Sequence, residues 1–194
     1  MSSMLTENNM LTTAHKITTT EDLKTFVECY DQAFGTQALA IGFLEGCEEV
    51  FLFRDHEGTP VAGYTINTQQ AYRTLAFIPD AFAAFYREKA TGLQTYELGT
   101  IWVDESRRNG REKLEMWVHI FANMLSRADT VMVGTTVSEE IYRFYLRYGV
   151  KVAYHGPMQV GEGALVQGWI VYLDDISTSK VPEMYEQLSR RLGR

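Results

Sequence analysis

A buried strand that leads directly into a basic turn and an amphipathic helix constrains this chain more than any other stretch. The segment is "YELGTIWVDESRRNGREKLEMW", residues 96–117. Its first part is a run of apolar and β-branched residues, which favours a strand. Its last part begins an apolar repeat at helical spacing that continues through Leu114, Trp117, Val118, Phe121, Met124 and Leu125. The chain must therefore hold a basic turn at the junction of a strand and a helix.

The patterns along the rest of the chain predict the order β-α-β-β-(α)-β-α-β-α-β-β, which is a mixed α/β domain with a central sheet. A helix begins at Thr19 or Thr20 and ends at Phe34–Gly35, and Ser138 can cap a later one. Predicted strands include "AHKITTT", "EVFLFRD", "PVAGYTINT", "TVMVGT", "VKVAYHG" and "LVQGWIVYL", and the tail "VPEMYEQLSRRLG" is a final helix. With 194 residues, we expect one domain over 14–194, after a flexible N-terminal segment, 1–13.

Charge and targeting patterns exclude several classes of protein. The net charge of −7 argues against a general nucleic-acid or membrane binder, so an anion site must be local. No apolar run reaches the length of a transmembrane helix, and the N-terminus lacks the pattern of a signal peptide. Cys29 and Cys47 have no metal-ligand spacing, so we expect two reduced, packed thiols in a cytoplasmic protein.

The basic turn has the properties of an anion site. A turn that feeds a helix N-terminus offers unpaired N–H groups and the positive end of the helix dipole. Gly110 allows close approach of the backbone because it has no Cβ atom. Positive charge comes from Arg107, Arg108, Arg111 and Lys113, with Glu112 partly opposing them. The turn is therefore either a phosphate site or a solvated basic turn.

Three features resemble the GNAT family of acyl-CoA-dependent N-acyltransferases, over roughly residues 14–174. "TIWVDESRRNGREKLE" is similar to the pyrophosphate-binding segment of that family. "VSEEIYRFYLRYGV" is similar to its "vNxxAxxfYxkxGF" helix, with Ser138 in place of the usual Asn. The third feature is the closing strand pair. The resemblance implies a mixed, mostly antiparallel central sheet flanked by helices.

The resemblance also implies a donor, acetyl-CoA or another acyl-CoA, and the residues that hold it. Aligned on one register, Arg107 and Gly110 match the loose phosphate motif. Aligned on the other, Arg108 is the family arginine and Asn109 replaces the first glycine. In the first register Glu112 stands where Gly or Ala is usual. The backbone N–H of Ile101, Trp102 or Val103 would polarise the thioester, and the expected donor site further comprises residues 107–113 and Ser138.

Acyl transfer to an amine needs a deprotonated amine, a stabilised oxyanion and a proton for the thiolate. The resemblance implies that Tyr145 supplies the proton, although Tyr145 also falls on the apolar stripe of its helix. Strand alternation places Glu97, Gly99, Ile101 and Val103 on one face. A carboxylate among apolar residues suits a general base acting through water, and the alternative is an ordinary edge or surface Glu.

The sequence contains no motif for metal-dependent catalysis or for a serine nucleophile. No cluster has metal-ligand spacing and no Ser lies in a nucleophile elbow, so we expect no metal and direct attack in a ternary complex. His119 falls off the apolar stripe of its helix and is expected at the surface.

An aromatic insertion at residues 70–93 carries Tyr72, Phe77, Phe82, Phe85 and Tyr86. It either covers the acceptor or acyl pocket, adds to the core, or contacts a second copy in a homodimer. Its position is also similar to that in autoinducer synthases and N-acyl amino acid synthases, which often take acyl chains from acyl carrier protein. A third hypothesis is a non-catalytic domain of the same fold that binds acyl-CoA as a sensor or binds no ligand. The expected acceptor is a small-molecule amine.

Overall fold

The computed structural model describes residues 13–34, 39–69, 73–76, 94–107, 110–160 and 164–193. The predicted flexible segment 1–13, except for Thr13, and the aromatic residues of the insertion lie outside these ranges. The described strands are β1 (Thr13–Lys16), β2 (Glu49–Arg54), β3 (Pro60–Asn67), β4 (Thr95–Val103), β5 (Val131–Thr136), β6 (Lys151–Val160) and β7 (Ala164–Leu173). The described helices are α1 (Thr20–Phe34), α2 (Ile41–Gly46), α3 (Arg73–Ala76), α4 (Arg111–Leu125), α5 (Glu139–Leu146) and α6 (Val181–Arg191).

The strands form one sheet in the order β1-β2-β3-β4-β5-β7-β6. Neighbours are antiparallel except for β4 and β5, which confirms the predicted mixed, mostly antiparallel sheet. The parallel ladder runs only from Thr95 opposite Val131 to Glu97 opposite Val133. Beyond it, β4 stays with β3 while β5 stays with β7. The two central strands therefore separate and leave a gap in the middle of the sheet.

A β-bulge interrupts β4 beside this gap. Gly63 faces Trp102 and Thr65 faces Gly99, so one residue of β3 spans two residues of β4, Thr100 and Ile101. Thr100 has a φ of 45°, an uncommon conformation for a β-branched residue.

The bulge corrects the predicted strand alternation. An extra residue moves every later side chain to the other face. Ile101 and Val103 consequently pack against the larger core cluster with Leu98, whereas Trp102 belongs to the smaller cluster. The expectation that Glu97, Ile101 and Val103 share a face is therefore wrong.

Helices cover both faces of the sheet, as predicted. The larger core cluster lies beneath α4, α5 and α6, and the smaller one lies beneath α1 and α2. α4 buries Met116, Trp117, Ile120, Phe121 and Met124. Among the described helices, none combines the length and the apolar character needed to cross a membrane.

His119 is half-buried against the sheet, so the prediction of a surface position is wrong. Its Nδ1 atom lies 2.8 Å from the hydroxyl of Tyr64, which also accepts a hydrogen bond of 3.2 Å from Asn123. The imidazole ring lies edge-on to Phe51, with 4.8 Å between the ring centroids. A buried tyrosine hydroxyl needs polar partners, and α4 supplies them from the side of the helix that flanks its apolar stripe.

Tyr148→Phe is expected to keep or raise the free energy of unfolding, by up to about 1 kcal/mol. Tyr148 is fully buried, and its hydroxyl has no hydrogen-bond partner in the described part of the chain. Removing that hydroxyl removes a desolvation cost without breaking a bond. Urea unfolding measures the change. The matched control is Tyr64→Phe, which breaks bonds to His119 and Asn123 and should lose about 1 kcal/mol. An equal loss in both variants would contradict the prediction.

Candidate functional site

The gap between β4 and β5 opens into a cavity of about 370 Å³, hereafter the central cavity. One wall is the β4 segment from Leu98 to Ile101, and the opposite wall runs from Thr135 to Ser138 at the end of β5. The remaining lining residues are Tyr30, Phe34, Phe43, Arg73, Thr74, Glu97, Trp117, Ile141 and Tyr145. A concave site with apolar walls and a few polar groups is the usual form of a small-molecule site.

The β4 bulge places backbone amides at the wall of the central cavity. Thr100 and Ile101 have no partner in the β3 ladder, and β5 has already separated from β4 at this level. A bulge disrupts the regular ladder, and a backbone amide at such a place can donate to the oxygen of a bound carbonyl group. Of the three residues predicted for this role, Ile101 lines the cavity. Trp102 and Val103 lie opposite Gly63 and Ala62 in the ladder and are not part of the lining.

Tyr145 also lines the central cavity. It lies on α5, is 5% exposed, and contacts the rings of Trp117 and Tyr148 with centroid distances of 6.3 and 5.7 Å. Burial raises the pKa of its phenol above the ordinary value. The hydroxyl is therefore protonated throughout the neutral pH range and can donate a proton. Tyr145 is buried on its helix, as the apolar stripe predicted, and it also lines the central cavity, whereas its role as proton donor stays a prediction.

Glu97 lies between hydrogen-bond donors rather than among apolar groups. It is 2% exposed and accepts hydrogen bonds from the amide of Arg73 (3.1 Å), the side chain of Asn67 (3.4 Å), and both the amide and the hydroxyl of Thr74. Both oxygens of the carboxylate accept hydrogen bonds, and the amides of Arg73 and Thr74 that donate to them belong to the first two residues of α3. The expected apolar surroundings and the alternative of an ordinary edge or surface Glu are therefore both wrong. No pattern in the sequence marked Arg73 or Thr74.

A second cavity of about 710 Å³, the cationic groove, lies between α4, α5 and α6. It begins at Gly110 and Lys113 and shares Trp117 and Ile141 with the central cavity. Four cationic side chains line it, against two anionic ones, Glu139 and Glu140; the cations are Lys113, Arg143, Arg147 and Arg191. The groove is therefore locally positive on a protein of net charge −7.

Two of the predicted phosphate ligands, Arg107 and Arg111, form ion pairs with carboxylates of this chain. Arg107 forms ion pairs with Glu112 (3.0 Å) and Asp55 (3.4 Å). Arg111 pairs with the buried Glu115 at 3.0 Å. Neither arginine lines the cationic groove, whereas Gly110 and Lys113 do. Arg108 and Asn109 lie outside the described residues.

Gly110 is the N-cap residue of α4, and the side chain of Glu112 folds back against it. A Cβ atom at position 110 would clash with Oε2 of Glu112, so a larger residue there would displace this carboxylate. The Glu112 carboxylate thus lies near the start of the helix, where the helix dipole favours negative charge.

Ser138 caps α5 as predicted, and it contributes to the central cavity. Its hydroxyl accepts a hydrogen bond of 3.3 Å from the amide of Ile141. Sequence reasoning missed Arg143, Arg147 and Arg191 as lining residues of the cationic groove. The first two are four residues apart on one helix face, a spacing that could have indicated a cationic surface.

The sheet order, the separation of β4 from β5 and the flanking helices define an α/β fold of the GNAT type. FeeM, an N-acyl amino acid synthase from uncultured soil microbes, has a TM-score of 0.66 at 13% identity, over 92% of this chain and 96% of that chain. An N-acetyltransferase from Staphylococcus aureus Mu50 has a TM-score of 0.58 at 14% identity, over 86% and 99%.

A GNAT family acetyltransferase from Elizabethkingia anophelis, solved with acetyl-CoA bound, has a TM-score of 0.53 at 14% identity, over 86% of this chain and 99% of that chain. No family model and no curated protein matches the sequence. The likeness therefore resides in the fold, and the chemistry has to be argued from the two cavities.

Proposed function

We propose that this protein is an N-acyltransferase that moves an acetyl or other acyl group from acyl-CoA to a small-molecule amine. The observation that carries the proposal is the junction of the two cavities. The cationic groove starts at the N-terminus of α4 and meets, at Trp117 and Ile141, the central cavity that contains Tyr145. A donor with phosphates at one end and a thioester at the other fits this arrangement.

The cationic groove suits the phosphates of the donor. The N-terminus of α4, a helix of 15 residues, offers N–H groups and a positive dipole end beside Lys113. Arg147 and Arg191 add positive charge along the same groove. Past Trp117, Thr100 and Ile101 line the central cavity, and a backbone amide of the bulge would donate to the carbonyl oxygen of the thioester.

The proposed reaction is direct attack in a ternary complex. The neutral amine attacks the thioester carbonyl, and a bulge amide donates a hydrogen bond to the oxyanion that forms. As the C–S bond breaks, the Tyr145 hydroxyl gives its proton to the thiolate. The amine nitrogen loses one proton to solvent, and the tyrosinate takes one proton back from solvent. An acyl-enzyme on Cys47 is disfavoured, because burial and the nearby Glu97 raise the pKa of that thiol to about 12.

Each of the two alternative functions, a synthase and a non-catalytic domain, is supported by one or more observations. The likeness to FeeM and the locally positive groove favour a synthase that receives its acyl chain from acyl carrier protein, an acidic partner. The fold-back of the Glu112 carboxylate near the α4 N-terminus opposes the donor phosphates, which favours a non-catalytic domain. A cytoplasmic location and a homodimer stay predictions.

Thiol release separates these functions. The protein is incubated with a panel of acyl-CoA donors and amines, and free thiol is followed with a chromogenic disulfide. Release that depends on the amine supports the proposal. Release from acyl carrier protein but not from CoA favours the synthase. Calorimetric binding of CoA without release under any acceptor favours the non-catalytic domain.

Lys113→Gln is expected to weaken CoA binding about tenfold, because a cation beside the α4 N-terminus makes a charge-assisted hydrogen bond to a phosphate. Calorimetry with CoA measures the change. Lys24→Gln is the matched control, since Lys24 is exposed on α1 and its loss changes the net charge equally. An equal loss of affinity in both variants would mean that the effect is one of overall charge.

Glu112→Gln is expected to strengthen CoA binding by about three- to tenfold. The Glu112 carboxylate lies near the start of α4 and holds Arg107 at 3.0 Å, so its charge opposes the donor phosphates. The same calorimetric titration with pantetheine, which has no phosphate, should show no gain. Glu105→Gln is the control, because Glu105 lies in the same turn and is exposed. Unchanged CoA affinity in Glu112→Gln would contradict the prediction.

A further inference from the structure

Arg73 is the one cationic side chain among the described residues that line the central cavity. Its guanidinium carbon lies 5.5 Å from the ring centroid of Tyr30 and 5.9 Å from that of Phe43. One of its terminal nitrogens donates a hydrogen bond of 3.4 Å to the Tyr30 hydroxyl. Two aromatic side chains from α1 and α2 thus hold this cation at the cavity wall.

The backbone of Arg73 is held as firmly as its side chain. Its amide donates to Oε2 of Glu97 at 3.1 Å, and Thr74 donates to the other oxygen. Glu97 is itself 2% exposed and belongs to β4, one of the two strands that border the gap in the sheet. The position of the guanidinium group is therefore tied to the sheet.

The charges of the central cavity discriminate between classes of amine. Glu97 is the one carboxylate in its described lining, and four hydrogen bonds already engage it. A diamine or polyamine would need further anionic groups for its second ammonium. A carboxylate, by contrast, would meet an arginine on aromatic faces in a partly desolvated cavity, where a planar guanidinium pairs well with a planar anion.

The remaining walls indicate the rest of the ligand. Phe34, Phe43, Trp117, Val137 and Ile141 supply aromatic and aliphatic surface around the cavity. Phe34 and Val137 are 52% and 48% exposed, so apolar side chains also form the rim. A ligand that satisfies both parts has a carboxylate and an apolar body.

We propose that the acceptor is an amino acid with an apolar or aromatic side chain, and that Arg73 binds its carboxylate. This inference rests on the proposed acyltransferase function and deepens it. Glu97 acts here as a positioning residue, because it holds the backbone of Arg73 and Thr74. A protein of net charge −7 needs such a local cation to bind an anionic acceptor.

The test compares acceptors that differ at the carboxylate alone. Thiol release is measured with phenylalanine, phenylalaninamide and phenethylamine, and with the corresponding leucine and tyrosine series, under acetyl and longer acyl donors. We expect kcat/KM for the best amino acid to exceed that of its amide by about 10- to 100-fold, the range for a charge-assisted bond. Arg73→Gln should bring the two within about threefold by raising KM for the amino acid.

Arg190→Gln serves as the control, since Arg190 is exposed on α6 and its removal changes the net charge equally. It should leave the preference for the amino acid intact. Phenethylamine should react equally with the wild type and with Arg73→Gln, which excludes a general loss of activity.

Failure of this inference can be told apart from failure of the proposed function. If no donor and acceptor pair releases thiol, the proposed function fails, and calorimetry then decides the inference through amino acid binding to the wild type and Arg73→Gln. Equal use or binding of amino acid and amide overturns the inference. A preference that survives in Arg73→Gln, or a diamine as the best acceptor, overturns it as well.

Discussion

Replacing Tyr145 by Phe is expected to lower kcat about 10²-fold, which is in the range for loss of a general acid. Donor affinity should change little. The phenol lines the central cavity, and burial raises its pKa, so it holds its proton at neutral pH until the thiolate departs. Steady-state thiol release gives kcat, and calorimetry with CoA gives the affinity.

Tyr142→Phe is the matched control for this experiment. Tyr142 lies on the same helix, stacks on Trp169 at a centroid distance of 4.8 Å, and is not part of the lining of either cavity. It should retain wild-type turnover. Tyr145→Phe should also retain the wild-type melting temperature, because it keeps the buried ring and removes a single hydroxyl at the central cavity. Wild-type kcat in Tyr145→Phe would end the assignment of Tyr145 as the proton donor.

Glu97→Gln is expected to lower the free energy of unfolding by about 2–4 kcal/mol, because each buried donor left without its acceptor costs about 1–3 kcal/mol. Glutamine keeps one oxygen and replaces the other by an NH2 group. That group would face other donors in either orientation, namely the Arg73 amide and the Asn67 side chain on one side or the Thr74 amide on the other. Urea unfolding, followed by tryptophan fluorescence, measures the loss.

Thr74→Val calibrates this result, since it removes a single hydroxyl donor and should cost about 1 kcal/mol. The two roles of Glu97 predict different outcomes. If Glu97 is a positioning residue, Glu97→Gln lowers the stability of the protein and raises KM for the acceptor, while kcat at saturating acceptor falls little. A variant with wild-type stability and a large loss of kcat would instead favour the predicted general base.

Local patterns predicted most of the fold correctly. The apolar repeat of α4 placed Trp117 and Phe121 in the core, where both are buried. The Ser138 cap begins α5 as predicted, and Gly149, which has a φ of 91°, follows the end of that helix. These features depend on residues within a few positions of each other, so the sequence contains their physical cause.

The errors concern contacts between distant parts of the chain. Thr100 carries no side-chain signal for a left-handed φ, yet the bulge there reverses the faces of Ile101 and Val103. Glu97 looked like a carboxylate among apolar residues because its neighbours in β4 are apolar. Its hydrogen-bond donors are Asn67, the last residue of β3, and Arg73 and Thr74, which follow β3 in the chain.

The turn that precedes α4 shows most clearly which features follow from the sequence and which depend on the tertiary structure. From the sequence alone, the order strand, basic turn, helix determined that an anion site could form at residue 110, because backbone amides and a helix N-terminus follow from local geometry. The tertiary structure decided which cations serve it. Asp55, from another strand's turn, and Glu112 hold Arg107, while α5 and α6 bring Arg147 and Arg191 to the groove. Ion pairing depends on distance in space, and spacing along the chain does not encode it.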